Sequence, residues 1–131
     1  MSTGSRARAA VLGGLAIALL TGCGDLSAGD VEQVATTFAG SAEDPAARCE
    51  LLAESTLTAI EQEGPCDDAI GELPLGSGTV TAVEVWGEEA QVRLSDDTLF
   101  LTRTAGGWRI SAAACTPQGA ALPYQCELEA S

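Results

Sequence analysis

Apolar residues change their spacing twice along this chain of 131 residues. They run unbroken from Ala9 to Leu20, recur every three or four residues from Val31 to Ile70, and alternate from Thr79 to Cys115. The middle pattern predicts helices. Val31, Val34 and Phe38 fall on one helical face, with Asp30 and Gln33 as a capping box ahead of it and Gly40 as its stop. Asp44-Pro45 starts a second helix, Asp as cap and Pro in the first turn, which brings Cys49 and Leu52 together with Leu51 beside them. Ser55 caps a third, in which Leu57 and Ile60 face inward. Gly64-Pro65 closes it, and "CDDAIGEL" from Cys66 adds one more turn.

The alternating half predicts strands: "TVTAVEVW", "AQVRLS", "TLFLTRTA" and "WRISAAAC" are short and rich in β-formers. Gly87-Glu88, Asp96-Asp97 and Gly106-Gly107 lie between them as two-residue turns. Those turns place Trp86 opposite Glu89, Ser95 opposite Thr98 and Ala105 opposite Trp108. It follows that Val83 faces Val92, Leu94 faces Leu99, Val92 faces Leu101 and Arg103 faces Ile110. One face then collects Val83, Val85, Val92, Leu94, Leu99, Leu101, Trp108 and Ile110. A slip of one residue would scatter this set. The expected fold class is α+β, with N-terminal helices packed on one face of a four-stranded antiparallel meander. "CTPQGAALPYQC", with two prolines, is expected as a loop stapled to the last strand.

The unbroken run Ala9–Leu20 is too short for the ~20 apolar residues of a spanning helix. It follows a polar start with Arg6, Arg8 and no acid, which is the pattern of an export signal. Leu20-Thr21-Gly22-Cys23 then resembles the lipobox of bacterial lipoproteins. The resemblance implies cleavage before Cys23, a diacylglyceryl group on its sulfur and acylation of the freed amine. Residues 1–22 are thus expected as a lipoprotein signal peptide, 23–29 ("CGDLSAG") as the lipidated cysteine and a flexible tether, and 30–131 as a single α+β domain.

Charge narrows the partners. The whole chain carries a formal −13, with no lysine and no histidine. Losing residues 1–22 removes two arginines and no acid, which takes the charge to −15. Such a surface argues against nucleic acid and against electrostatic docking on anionic lipid. The chain has five cysteines. Assigning Cys23 to lipid leaves Cys49, Cys66, Cys115 and Cys126, an even number that reads as two bridges in an exported chain. Three connectivities are open, and locality favours Cys49–Cys66 with Cys115–Cys126. With no CxxC and no histidine, neither a metal nor a cofactor is expected. Glu88-Glu89, Asp67-Asp68 and Asp96-Asp97 lack the spacing of a calcium loop and read as solvated turn tips.

The order of helices followed by a meander is similar to the NTF2-like, cone-shaped α+β folds. "RCELLAESTLTAIEQEGPC", "VEVWGEEAQVRL", "LFLTRTAGGWRISAAAC" and "PYQC" resemble a group of small actinobacterial lipoproteins of unassigned activity, whose cysteines fall on Cys49, Cys66, Cys115 and Cys126. The resemblance implies a membrane-tethered extracytoplasmic domain and offers no catalytic residue to carry over. Enzymatic NTF2-like relatives use Asp, Tyr or His in the cone. Here there is no His, and the one Tyr, Tyr124, lies in the tail.

Two places stand out as candidate sites. Arg103 is the charged residue that the register puts on the covered face, beside Ile110 and close to Trp108; Arg103 and Trp108 are a candidate mouth for an anionic ligand. Trp86, Phe100 and Arg93 fall on the opposite face, as a candidate partner surface or as ground for the stapled tail. Without His or Lys, Ser-His and Ser-Lys catalysis is excluded. The expected function is a non-enzymatic accessory or protein-binding domain, lipid-anchored on the outer face of the cell membrane, with a protein partner at the cell surface. The alternative is a small-ligand carrier using a cavity between helices and sheet.

Overall fold

The computed structural model describes residues 13–14 and 23–131, with side chains from Leu26 onward. Leu20, Thr21 and Gly22 of the lipobox lie outside the described residues. The first helix, α1 (Cys23–Gly40), starts seven residues before the expected cap, so Asp30 stands inside it and the segment expected as a flexible tether is helical. Val31, Ala35 and Phe38, spaced four and three apart, are fully buried on its inner face. No helix among the described residues is long and apolar enough to cross a membrane.

Helix α2 (Pro45–Glu50) begins as its sequence dictates. The Asp44 side chain accepts the Ala47 N–H at 3.2 Å, and Pro45 opens the first turn. Its Arg48 is 6% exposed and closes the end of α1. The guanidinium donates from Nε to the Phe38 carbonyl (2.9 Å) and from Nη2 to that of Ala39 (3.4 Å). Those carbonyls belong to the last turn of α1, where the helix itself runs out of N–H donors; that of Phe38 also accepts the Ser41 N–H at 3.2 Å. Burial pushes the pKa of Arg48 below its ordinary value, and the negative charge of Asp97 works the other way.

Helices α3 (Glu54–Ile60) and α4 (Cys66–Gly71) follow. Neither has a side-chain cap; α3 takes Ala53 rather than Ser55 as its N-cap residue. Between α2 and α3 the chain is extended for one residue and runs beside the sheet: Ile110 N–H donates to Leu51 (2.8 Å) and Ala53 N–H to Ile110 (2.8 Å).

The sheet has five antiparallel strands in chain order, not four: β1 (Val80–Trp86), β2 (Glu89–Leu94), β3 (Thr98–Thr104), β4 (Gly107–Thr116) and β5 (Gln125–Glu129). β5 starts in the last two residues of the tail expected as loop and runs on past it to Glu129. Its sequence, QCELE, has few β-formers, but two tertiary features place it. Cys126 pairs with Cys115 in the ladder, and Leu128 is 2% exposed against the core.

The β1–β2 register is as expected, around Gly87 in a left-handed conformation (φ 59°). The other two registers are each displaced by two residues: Val92 pairs with Leu99 rather than Leu101, and Ile110 with Leu101 rather than Arg103. The β2–β3 loop is longer than two residues, and the β3–β4 turn is Ala105-Gly106. A shift of two keeps every side chain on its face. The anticipated apolar face therefore persists, with Val92, Leu99, Leu101 and Ile110 at 0% exposure and Val83 and Val85 half-buried at the open edge. A bulge in β4 leaves Ser111 unpaired, so Ile110 and Ala113 both reach the core. The Ser111 carbonyl accepts the buried Thr56 hydroxyl at 2.8 Å.

Candidate functional site

The cysteines set the geometry around the candidate sites. Cys49 of α2 is bonded to Cys66 at the start of α4, and Cys115 of β4 to Cys126 of β5. Both are the local pairings. The first ties α2 to α4, and the second clamps β5 onto the sheet. Four of the five cysteines are thus paired with one another, and Cys23 has no cysteine left in the chain to pair with.

Arg103 lies directly opposite Trp108 in the β3–β4 ladder. Trp108 is buried in the core (4% exposed), whereas Arg103, at the mouth of the hairpin, is exposed. The space between helices and sheet is occupied by the core itself: Val31, Phe38, Ile70, Leu99, Leu101 and Ile110 are each at most 1% exposed. Among the described residues every buried side-chain nitrogen and oxygen has a hydrogen-bond partner, so no interior polar group is left for a ligand to satisfy.

On the opposite sheet face the tail and the aromatics divide the surface. Tyr124 meets Phe100 edge-on, ring centroids 5.2 Å apart at 71°, and its hydroxyl accepts from Gln91 Nε2 at 3.1 Å. Phe100 is therefore half-buried beneath the tail. Trp86 is 55% exposed at the end of the edge strand, and Arg93 is exposed near the far end of β2.

Asp97 is not a solvated tip. Its Oδ1 accepts the N–H groups of Thr98 (2.7 Å) and Cys115 (3.1 Å), and its Oδ2 those of Ala114 (3.0 Å) and Gly76 (3.3 Å). Ala114 is left-handed (φ 54°), which lets two successive N–H groups of β4 point at one carboxylate. Gly76 passes so close that a Cβ there would collide with the Cβ of Asp97. Asp97 thus joins the β2–β3 loop, the strand before the second disulfide and the entry to β1. No residue pattern announces this, because the partners are backbone groups in three distant segments.

The sequence also gave no sign of a groove of about 730 Å³ between the α3–α4 connection and β5. Its floor includes Ile60 and Leu128, and its walls carry Glu63, Asp68, Glu72, Glu127 and Glu129, all exposed. Among the described residues no arginine lines it, Arg103 included. The acids come from two segments that the second disulfide, the β4–β5 ladder and the packing of α3 on β5 bring together. They do not converge on a point: no group of three metal-ligating side chains occurs among the described residues. In comparisons with protein-family models, curated proteins and solved structures, the chain matches none.

Proposed function

We propose that the chain is a lipid-anchored, extracytoplasmic, non-enzymatic accessory domain that binds a protein partner at the cell surface. One observation carries the address. Two intrachain disulfides account for four cysteines and leave Cys23, preceded by Leu20-Thr21-Gly22, as the odd one. Disulfides belong to oxidising compartments, and a cysteine at the foot of an export signal is where acylation occurs in the lipoproteins this segment resembles. The order of four helices and then an antiparallel sheet supports the NTF2-like resemblance within the same reading.

Expression of the full chain in a bacterial host fed a labelled fatty acid tests the anchor. The native protein is expected in the membrane fraction carrying label, and Cys23→Ser in the soluble fraction without it. Equal label and equal partitioning for both would end the proposal.

For the binding role, the filled interior favours a partner on the surface over a ligand inside. The groove beside β5 supports a partner segment bearing Lys or Arg, since among the described residues five side-chain carboxylates line it and no cation does. Binding of lysine-rich and glutamate-rich peptides of equal length, measured against salt, checks this. The basic peptide is expected to bind, to weaken steeply with ionic strength, and to be lost in Glu63→Gln/Asp68→Asn/Glu127→Gln. Equal binding of the two peptides would contradict it.

A further inference from the structure

α1 is helical from Cys23, and its first fully buried residue is Val31. At 1.5 Å per residue these positions are separated by about 12 Å of rigid helix. Leu26 lies between them and is 81% exposed, more than the other exposed large hydrophobics, Trp86 and Leu122. A lone exposed leucine is ordinary on a protein surface. Its position is what makes this one informative. Positions three apart on a helix are neighbours on one face, with Cβ atoms about 5–6 Å apart. The polar layer on each side of a bilayer's hydrocarbon core is of similar depth, roughly 5–7 Å.

We infer that Leu26 is a second contact with the membrane, seated at the boundary between headgroups and acyl chains, and that α1 is a short rigid stalk holding the domain against the bilayer. This rests on the acylation of Cys23 proposed above. The occupant of the Leu26 site is the bilayer, because a residue one helical turn from an acylated position has the lipid interface as its nearest neighbour. Electrostatics does not supply the contact: with residues 1–22 removed the chain is strongly acidic and is repelled by anionic lipid. An apolar side chain beside the anchor adds attraction of a kind that this repulsion does not cancel. A partner must then be reached within a short distance of the membrane surface, since the domain cannot swing on a flexible leash.

The test uses the full-length protein, processed in cells and reconstituted into phosphatidylethanolamine–phosphatidylglycerol vesicles whose acyl chains are brominated near the headgroup. Leu26→Trp and Leu122→Trp are compared in a Trp86→Phe background, with buried Trp108 as the shared reference. Bromolipid is expected to quench the tryptophan at 26 and to leave the one at 122 as bright as in unbrominated vesicles. Equal quenching at the two positions, or none at either in protein that floats with the vesicles, overturns the Leu26 contact and leaves the anchor standing. Failure of the protein to float with vesicles at all overturns the anchor and the contact together.

Discussion

Arg48 holds Phe38 in two ways: its Nε donates to the Phe38 carbonyl at 2.9 Å, and its guanidinium carbon lies 5.1 Å from the centre of the Phe38 ring. One side chain thereby terminates α1, covers its last core residue and docks α2. Arg48→Met keeps the apolar stem but removes the guanidinium donor from the buried Ala39 carbonyl and leaves that of Phe38 with the Ser41 N–H, a loss of about 1–3 kcal/mol. Arg48→Lys is expected to recover little, because an ammonium lacks the planar fork that reaches two carbonyls at once. Urea denaturation measures both. A lysine variant as stable as the native protein would show that charge alone, without the fork, is what matters.

Asp97 is expected to tolerate no amide. In Asp97→Asn one oxygen becomes an NH2 group that must face a backbone N–H, whichever way the side chain is turned. A destabilisation of about 1–3 kcal/mol follows from leaving such groups unpaired. Hydrogen exchange localises it: protection at Ala114 and Cys115 should fall further than at Val92 in the central strand. A uniform change across the sheet would argue against Asp97 as the local clamp.

Two glycines separate close packing from helix propensity. Gly76→Ala forces a Cβ into Asp97 and is expected to cost about 1–3 kcal/mol. Gly29→Ala has open space around it within α1, and is expected to increase helicity and stability by up to about 1 kcal/mol. Circular dichroism and thermal melting read both. No change in Gly29→Ala would mean that the first turns of α1 do not behave as a helix in solution, and the stalk would lose its basis.

The two disulfides close loops of 17 and 11 residues. Replacing either pair by serine is expected to cost about 3 kcal/mol in the chain-entropy model. The losses should differ in place. Cys115→Ser/Cys126→Ser frees β5 and exposes Leu128, whereas Cys49→Ser/Cys66→Ser loosens α2 from α4. Limited proteolysis with terminal sequencing tells them apart, and cleavage at the same bond in both would contradict that division.

Much of this fold was legible from periodicity alone, and for a specific reason. Alternation assigns residues to faces, and face survives a two-residue displacement of register; so Leu99, Leu101 and Ile110 fall in the core although the β2–β3 loop is longer than its sequence suggests and the β3–β4 turn lies one residue earlier. β5 escaped notice because QCELE is a strand by virtue of the Cys115–Cys126 bond and the burial of Leu128, which are tertiary facts. Arg48 escaped because its donors meet backbone carbonyls ten and nine residues earlier. Helical patterning says nothing of such contacts; strand alternation singles out Arg103 instead, which the hairpin leaves exposed at its mouth. The acids of the groove are each visible in the sequence, but which of them share one groove depends on where β5 lies.

The most direct measurement is the intact mass of the protein extracted from membranes without reductant. The account predicts a chain beginning at Cys23 that carries two or three acyl chains and lacks four hydrogens, two for each disulfide. A chain beginning at Met1 with an unmodified Cys23 would contradict it.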